Sequence, residues 1–328
     1  MKHPREVLLG AQAGAVALPV CDHYSGVEAR MRKSLQLQAE FSERFGACVF
    51  DVTLDCEDGA AVGAEAEHAQ LVTELVLGLD FGRAIKPRVG VRVHSVDHPA
   101  FDADVARIVG AAGTRLSHLM VPKVESLADV ERAVGSMDAA GGRDIPLHVL
   151  IESPAAVHRA FDIAAHARVA SLSFGLMDFV SAHGGAIPSD GMGVAGQFSH
   201  PLVLRAKLEI ASACHAHGKV PSHCVVTEFR DKSALGQAAR RAARELGYTR
   251  MWSIHPDQIE PILEAFAPSA QEVEKSARII AAAHAADWAP IALDGQLHDR
   301  ASYRYYWQTL ERAHQTGCAL PAEASVFF

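Results

Sequence analysis

The run Pro146-Leu-His-Val-Leu-Ile-Glu152-Ser-Pro154 is apolar along most of its length, stops at a carboxylate, and passes directly into a helix-start signal. Working outward, similar short runs occur at 15–20, 47–55, 88–94, 116–123, 169–174, 219–225 and 250–254. They read as near-continuous apolar stretches rather than clean alternations, the pattern of strands buried on both faces of a parallel sheet. Amphipathic stretches lie between them, at 27–45, 66–79, 101–112, 127–139, 155–167, 201–217 and 233–246, and Gly218 and Gly247 stand where helices end. Eight strands, each followed by a helix, predict an α/β fold of the (β/α)8 TIM-barrel kind; a doubly wound open sheet is the competing arrangement. The segment 291–300 and a helix over 301–314 fall beyond the eighth unit. The expected division is a catalytic barrel over 1–288 and a C-terminal helical lid and oligomerisation extension over 289–328.

A chain of 328 residues, 49% hydrophobic, is long enough for one such barrel with an appendage. Its 31 basic and 39 acidic residues give a net charge of −8, which argues against nucleic acid as a partner. Six scattered cysteines form no C-x-x-C pair and read as free thiols of a reducing compartment, so a cytoplasmic location is expected. Lys2 and Arg5 before the small and apolar residues 7–20 faintly suggest a signal peptide, but Glu6 and two glycines favour a first barrel strand. No stretch is long and unbroken enough to suggest a membrane span.

Chemistry-bearing side chains cluster at the ends of the apolar runs: Asp55, Glu57 and Asp58; Arg92 and His94; Lys123 and Glu125; Glu152; Asp178 just after Gly175; His223; and His255. In a (β/α)8 barrel these ends form one mouth, where active sites sit. Glu152 and Asp178 are hard oxygen ligands suited to Mg²⁺, with Mn²⁺ accepted by the same donors, and such an ion polarises a 2-oxo acid as a Lewis acid. Arg92 is a planar cation for a carboxylate or an oxyanion, and Glu57 and Asp58 are placed to orient it or the metal's waters. Each has a plainer reading as a turn acid, a helix-entry residue or, for Lys123, an ion-pair partner of Glu125. Arg92 within an apolar strand is the hardest to read that way, because an unpaired buried charge is costly. No H-E-x-x-H, P-loop, dinucleotide fingerprint or G-x-S-x-G elbow is present. The Gly-rich loop 181–199 is long enough to be functional.

Together these segments resemble the citrate lyase beta subunit and malyl-CoA lyase family of the HpcH/HpaI aldolase superfamily. The Asp-Cys-Glu-Asp of 55–58 is similar to its D-x-E-D, Val-Arg-Val-His at 91–94 to V-R-V-N, and Val-Pro-Lys-Val-Glu-Ser at 121–126 to L-P-K-V-E-S. Leu-Ile-Glu-Ser at 150–153, Phe-Gly-Leu-Met-Asp-Phe at 174–179 and Ile-His-Pro-Asp-Gln at 254–258 follow in the family's order. The resemblance implies Mg²⁺ on Glu152 and Asp178, Arg92 on the oxo acid, and Lys123, Gly175 and His255 as substrate-binding positions. It also implies a homotrimer or homohexamer in which a lid aspartate, here Asp299 of Leu-Asp-Gly-Gln-Leu-His-Asp 293–299, enters a neighbouring subunit and handles the α-proton of an acyl-CoA. The chain departs from the family in lacking R-S-x-L-F-V-P-G at its first strand, in having Arg300-Ala-Ser after Asp299 instead of an early proline, and in its long 181–199 loop. These departures bear on CoA recognition more than on metal chemistry.

The expected activity is Mg²⁺-dependent cleavage of a malyl-, citramalyl- or citryl-type 3-hydroxyacyl-CoA into an acyl-CoA and a 2-oxo acid. The alternatives are a CoA-independent retro-aldol reaction on a hydroxy-oxo acid through a pyruvate enolate, and a non-catalytic acid-binding barrel.

Overall fold

The computed structural model describes residues 2–10 and 17–328. A short helix, α1 (Pro4–Leu9), precedes eight β-then-α units. These are β1 (Cys21–Ser25) with α2 (Glu28–Phe45), β2 (Phe50–Asp55) with α3 (Glu65–Leu77), β3 (Val89–Arg92) with α4 (Phe101–Ala112), and β4 (Leu116–Val121) with α5 (Leu127–Ala139). Next come β5 (Leu147–Ile151) with α6 (Pro154–His158) and α7 (Ala160–Ala165), and β6 (Val169–Phe174) with α8 (Leu176–Ser181) and α9 (Pro201–Ala216). The last two units are β7 (Val220–His223) with α10 (Lys232–Glu245), and β8 (Arg250–Ser253) with α11 (Ile259–Phe266) and α12 (Ala270–Ala285). All strand pairs are parallel, and β8 pairs with β1, so the sheet closes into an eight-stranded barrel. The expected TIM barrel is present and the open sheet is excluded.

The first strand differs from expectation. It runs over Cys21–Ser25, not 15–20; residues 15 and 16 lie outside the described residues, and part of the preceding run forms α1. Cys-Asp-His-Tyr-Ser does not look like a buried strand because its inward positions are polar: Asp22 points at the Arg250 guanidinium, 2.9 Å away. A charge whose partner lies on a neighbouring strand about 230 residues away in sequence is invisible to an apolar-run criterion. The helix expected over 155–167 is divided at Arg159, and α8, α11 and α12 are additional. Gly218 and Gly247 do end helices, at φ +65° and +74°.

Beyond α12 come a hairpin, β9 (Ile291–Leu293) and β10 (Gln296–His298), then α13 (Arg300–Gln315) and α14 (Ala322–Ser325). These pack on α12 and α1 around a second apolar core that includes Leu8, Ile280, Trp288, Tyr303, Trp307 and Leu310. Arg5 of α1 pairs with Glu311 of α13. No described helix is long and apolar enough to cross a membrane.

Candidate active site in the barrel mouth

Along each barrel strand, alternate side chains point inward, so a two-residue step climbs roughly 6.6 Å through the interior. On β5 that climb passes His148, Leu150 and then Glu152 just past the strand end; β4 passes His118 and Met120. The interior therefore has three levels: a polar base, an apolar belt of Met120, Leu150 and Trp252, and a charged mouth.

Arg92 is the centre of the mouth and is almost fully buried. Its Nε donates to Asp55 Oδ1 at 2.6 Å, and Nη2 donates to Asp58 Oδ2 at 2.6 Å and to the Tyr24 hydroxyl at 2.8 Å. Nη1 lies 3.0 Å from Glu57 Oε2, and Glu57 also receives Lys123 Nζ at 2.7 Å. Burial works against ionisation of Asp55, yet the adjacent Arg92 holds its carboxyl below the ordinary range. Asp55 also caps the following turn, accepting the backbone N–H groups of Glu57 and Asp58. The D-x-E-D spacing is thus one device: its first acid shapes the turn that turns the next two onto Arg92. Lys123 sits in the left-handed region at φ 52°, a strained conformation for a lysine, and its N–H donates to Glu152 Oε2 at 2.7 Å.

Glu152 is 6% exposed, and its carboxyl is pushed up to about 7 by burial, then by the facing Glu57 and Asp178, while the Lys123 N–H offsets part of this. Asp178, at the first turn of α8, makes no side-chain hydrogen bond or ion pair with the described residues. Five acids, Asp55, Glu57, Asp58, Glu152 and Asp178, meet only Arg92 and Lys123. This mouth lacks positive charge, and the shortage falls on the two acids that sequence reasoning named as ligands. The donor set fits a hard divalent ion. Gly175 has a mechanical role: a Cβ there would stand 2.4 Å from Glu152 Cγ and Oε1, so only glycine lets that carboxylate occupy its place.

A groove of about 550 Å³ opens beside the mouth, lined by Tyr24, Gly26, Arg30, Lys33, Phe229 and His255 among others. Arg30 and Lys33 make no ion pair with the described residues. Phe229 and His255 stack with ring centroids 4.9 Å apart. His255 is thus at the groove rather than beside Glu152 and Asp178. Tyr24, which sequence reasoning passed over, bridges the two; its phenol donates to Asp55 and its ring lies flat on Trp252 at 5.7 Å. The signal available for it was its position one turnover past Asp22 on a polar-looking strand.

Asp299 is not among these residues. It caps α13, its Oδ1 accepting the N–H groups of Ala301 and Ser302 at 3.0 and 3.2 Å, within the second core's module.

The base of the barrel holds a second polar cluster, unremarked in the sequence. Asp22, His118 and His148 each bring a ligating atom within 4.8 Å of the others. Asp22 is already occupied, however, by Thr53 Oγ1 at 2.7 Å and Arg250, and both His118 nitrogens lie 3.0 Å from hydroxyls, those of Thr53 and Ser117, while its ring stacks on His148 at 3.9 Å. Arg250 and Arg88 balance Asp22 and Asp51. The carboxylates of the base are thus matched by guanidinium groups, while both ring nitrogens of His148 have no hydrogen-bond partner among the described residues.

The family model for HpcH/HpaI aldolase/citrate lyase matches residues 38–256, which carry every mouth residue except Tyr24. The chain belongs to this family. By that membership it is a carbon–carbon lyase. It is 33% identical over 263 residues to an L-malyl-CoA/beta-methylmalyl-CoA lyase of Cereibacter sphaeroides, covering 74% of this chain and 80% of the relative. It is 27% identical to a (3S)-malyl-CoA thioesterase of the same species, covering 80% and 86%. A crystal structure of a citrate lyase from Burkholderia xenovorans is similar over 100% of this chain and 99% of that one, at 49% identity and a TM-score of 0.80. The CitE protein of Mycobacterium tuberculosis in complex with magnesium, acetoacetate and coenzyme A shares the fold, at 22% identity and a TM-score of 0.63 over 90% and 98%.

Proposed function

We propose that this lyase cleaves a 3-hydroxyacyl-CoA of the malyl, citramalyl or citryl kind into an acyl-CoA and a 2-oxo acid, with Mg²⁺ held by Glu152 and Asp178. The observation that carries the reading is the surplus of acid in the mouth, with Glu152 pushed up to about 7 by burial and by the facing Glu57 and Asp178. When bound, the ion supplies Lewis-acid polarisation of the oxo acid's oxygens; Mn²⁺ suits the same ligands. Arg92 presents positive charge to the oxygen that becomes negative as the carbon–carbon bond breaks. Asp55, Glu57 and Asp58 hold the guanidinium in place, and Lys123 steadies both Glu57 and, through its N–H, Glu152. The groove supports the thioester over the free acid: the cations Arg30 and Lys33 suit phosphates, and the Phe229–His255 stack suits a planar base. The relatives named for malyl-CoA reactions support the same choice.

Asp299 handles the α-proton of the acyl-CoA in this reading. Because its own module keeps it as a helix cap away from the mouth residues, it would act on a second copy, which favours a homotrimer or homohexamer over a lone chain.

Hydrogen–deuterium exchange followed by proton NMR in D₂O tests the proposal, with Mg²⁺, acetyl-CoA, glyoxylate and pyruvate present. Metal-dependent exchange or consumption at the acetyl-CoA methyl, abolished in Asp178→Ala, is the expected result. Exchange at the pyruvate methyl alone would move the chain to the CoA-independent aldolase reading. Silence at both, with no Mg²⁺ binding, would leave a non-catalytic acid-binding barrel.

A further inference from the structure

A guanidinium captures a carboxylate in parallel through a fork of two nitrogens, either Nη1 with Nη2 or Nε on the side edge. In this mouth neither fork is open. Nε gives its hydrogen to Asp55, and Nη2 gives its two to Asp58 and to the Tyr24 hydroxyl. Only Nη1 has capacity left, shared with Glu57.

Of the groups that close the forks, Tyr24 is the unusual one. Asp55, Glu57 and Asp58 are anions answering a cation. Tyr24 is a neutral phenol, kept so by burial, that accepts from Arg92 and passes its own hydrogen to Asp55. Its ring also lies under the guanidinium, 4.8 Å from Cζ, and is backed by Trp252. It contacts both the arginine and the groove, so it stands where the acyl end of a substrate would meet the oxo-acid end.

We propose that Tyr24 is a positioning residue that turns Arg92 from a two-nitrogen carboxylate clamp into a one-nitrogen donor, acting through Nη1 on a single substrate oxygen. The consequence is a bias toward the transition state. A clamp grips the oxo acid's carboxylate equally well before and after bond cleavage; a single donor aimed at one oxygen favours the stage at which that oxygen carries most charge. The inference rests on the reading that the mouth binds a 2-oxo acid beside Mg²⁺.

The test separates binding from turnover. Tyr24→Phe keeps the ring, the Trp252 stack and the cation–π contact, and releases one Nη2 hydrogen. Its pyruvate affinity with Mg²⁺ present, measured by calorimetry, is expected to be up to about tenfold tighter, while kcat falls about tenfold, the worth of one hydrogen bond to a charged group. Asp58→Ala, a change at an exposed side chain, frees the other Nη2 hydrogen and should shift pyruvate affinity in the same direction, which covers the case of a poorly folding Tyr24→Phe. Pyruvate affinity that stays within twofold of the unaltered chain, or weakens, overturns the proposal. If the unaltered chain binds pyruvate but shows no acetyl-CoA exchange, the thioester reading fails while the binding comparison still decides the role of Tyr24.

Discussion

The barrel encloses two polar layers built from the same kinds of side chain, an arginine among aspartates with further donors nearby, and the belt of Met120, Leu150 and Trp252 keeps them apart. In the base, Arg250 and Arg88 meet Asp22 and Asp51 and the charges cancel. In the mouth, acids outnumber bases and Glu152 carries the strain as a raised carboxyl. Ligating atoms close together occur in both layers, and in the base they even include two imidazoles. On the proposed reading, the two layers differ in uncompensated charge more than in the presence of metal-binding residue types.

The sharpest way to break this comparison is to remove a ligand from each layer. Asp178→Ala or Glu152→Gln should abolish calorimetric Mg²⁺ binding and lower kcat about a thousandfold. His148→Leu should leave the Mg²⁺ isotherm unaltered; loss of a Mg²⁺ site on that change would put the ion in the base and sink the argument.

Next in size is Arg250→Met. It strands two buried carboxylates and should destabilise the fold by about 3–5 kcal/mol in urea titrations, since breaking a buried pair from one side leaves an uncompensated charge. Adding Asp22→Asn and Asp51→Asn should recover part of the loss. A cost under about 1 kcal/mol would mean that the base is wetter than its closed surface indicates.

How much of this was legible beforehand follows from the same contrast. Glu152, Asp178, Arg92 and the acids of 55–58 were readable because each stands at the end of an apolar run, where a polar residue is conspicuous. Asp22, Tyr24, His118, His148 and Arg250 were not, because they alternate inside strands whose outward faces supply the apolar signal. The misplaced first strand has this cause: the inward positions of β1, Asp22 and Tyr24, are both polar, and His23 between them adds no apolar signal. Asp299 was legible as a residue but not as a location: its cap on α13 is local, through Ala301 and Ser302, but the docking of α13 on α12 and α1 is a packing outcome that sequence spacing does not reveal.

Two smaller effects sharpen the comparison by pH. The proposed Mg²⁺ site requires Glu152 ionised, so with its carboxyl near 7 binding at pH 6 should release most of one proton and binding at pH 8.5 almost none. Calorimetry in buffers of different ionisation enthalpy reads this directly. The sign for stability is the reverse of the usual carboxylate: the metal-free fold should weaken as pH rises from about 4.5 to 7, and Mg²⁺ should cancel the slope.

In the base, burial holds His118 down at about 4 and His148 well below its ordinary value. The unfolded chain takes up these protons near 6.5 while the folded one resists, so stability present above 6.5 is lost as pH falls toward 4. His118→Gln with His148→Leu should flatten that acid slope, seen as a smaller shift in urea midpoint between pH 6.5 and 5. An unchanged slope would assign it to other buried histidines, of which His23 and His223 are the candidates.

The pairing of α1 with α13 has a temporal consequence. Arg5 and Glu311 are joined only when a segment made early meets one made some three hundred residues later, and His3 reaches the carbonyl of Phe327 in the same way. Contacts of such separation close late, whereas each β-then-α unit is local and can assemble as it emerges. During synthesis the barrel and its acidic mouth can therefore be complete while the module carrying Asp299 is still unformed, so the nascent chain can pass through a stage in which the mouth exists without the helix-capped aspartate.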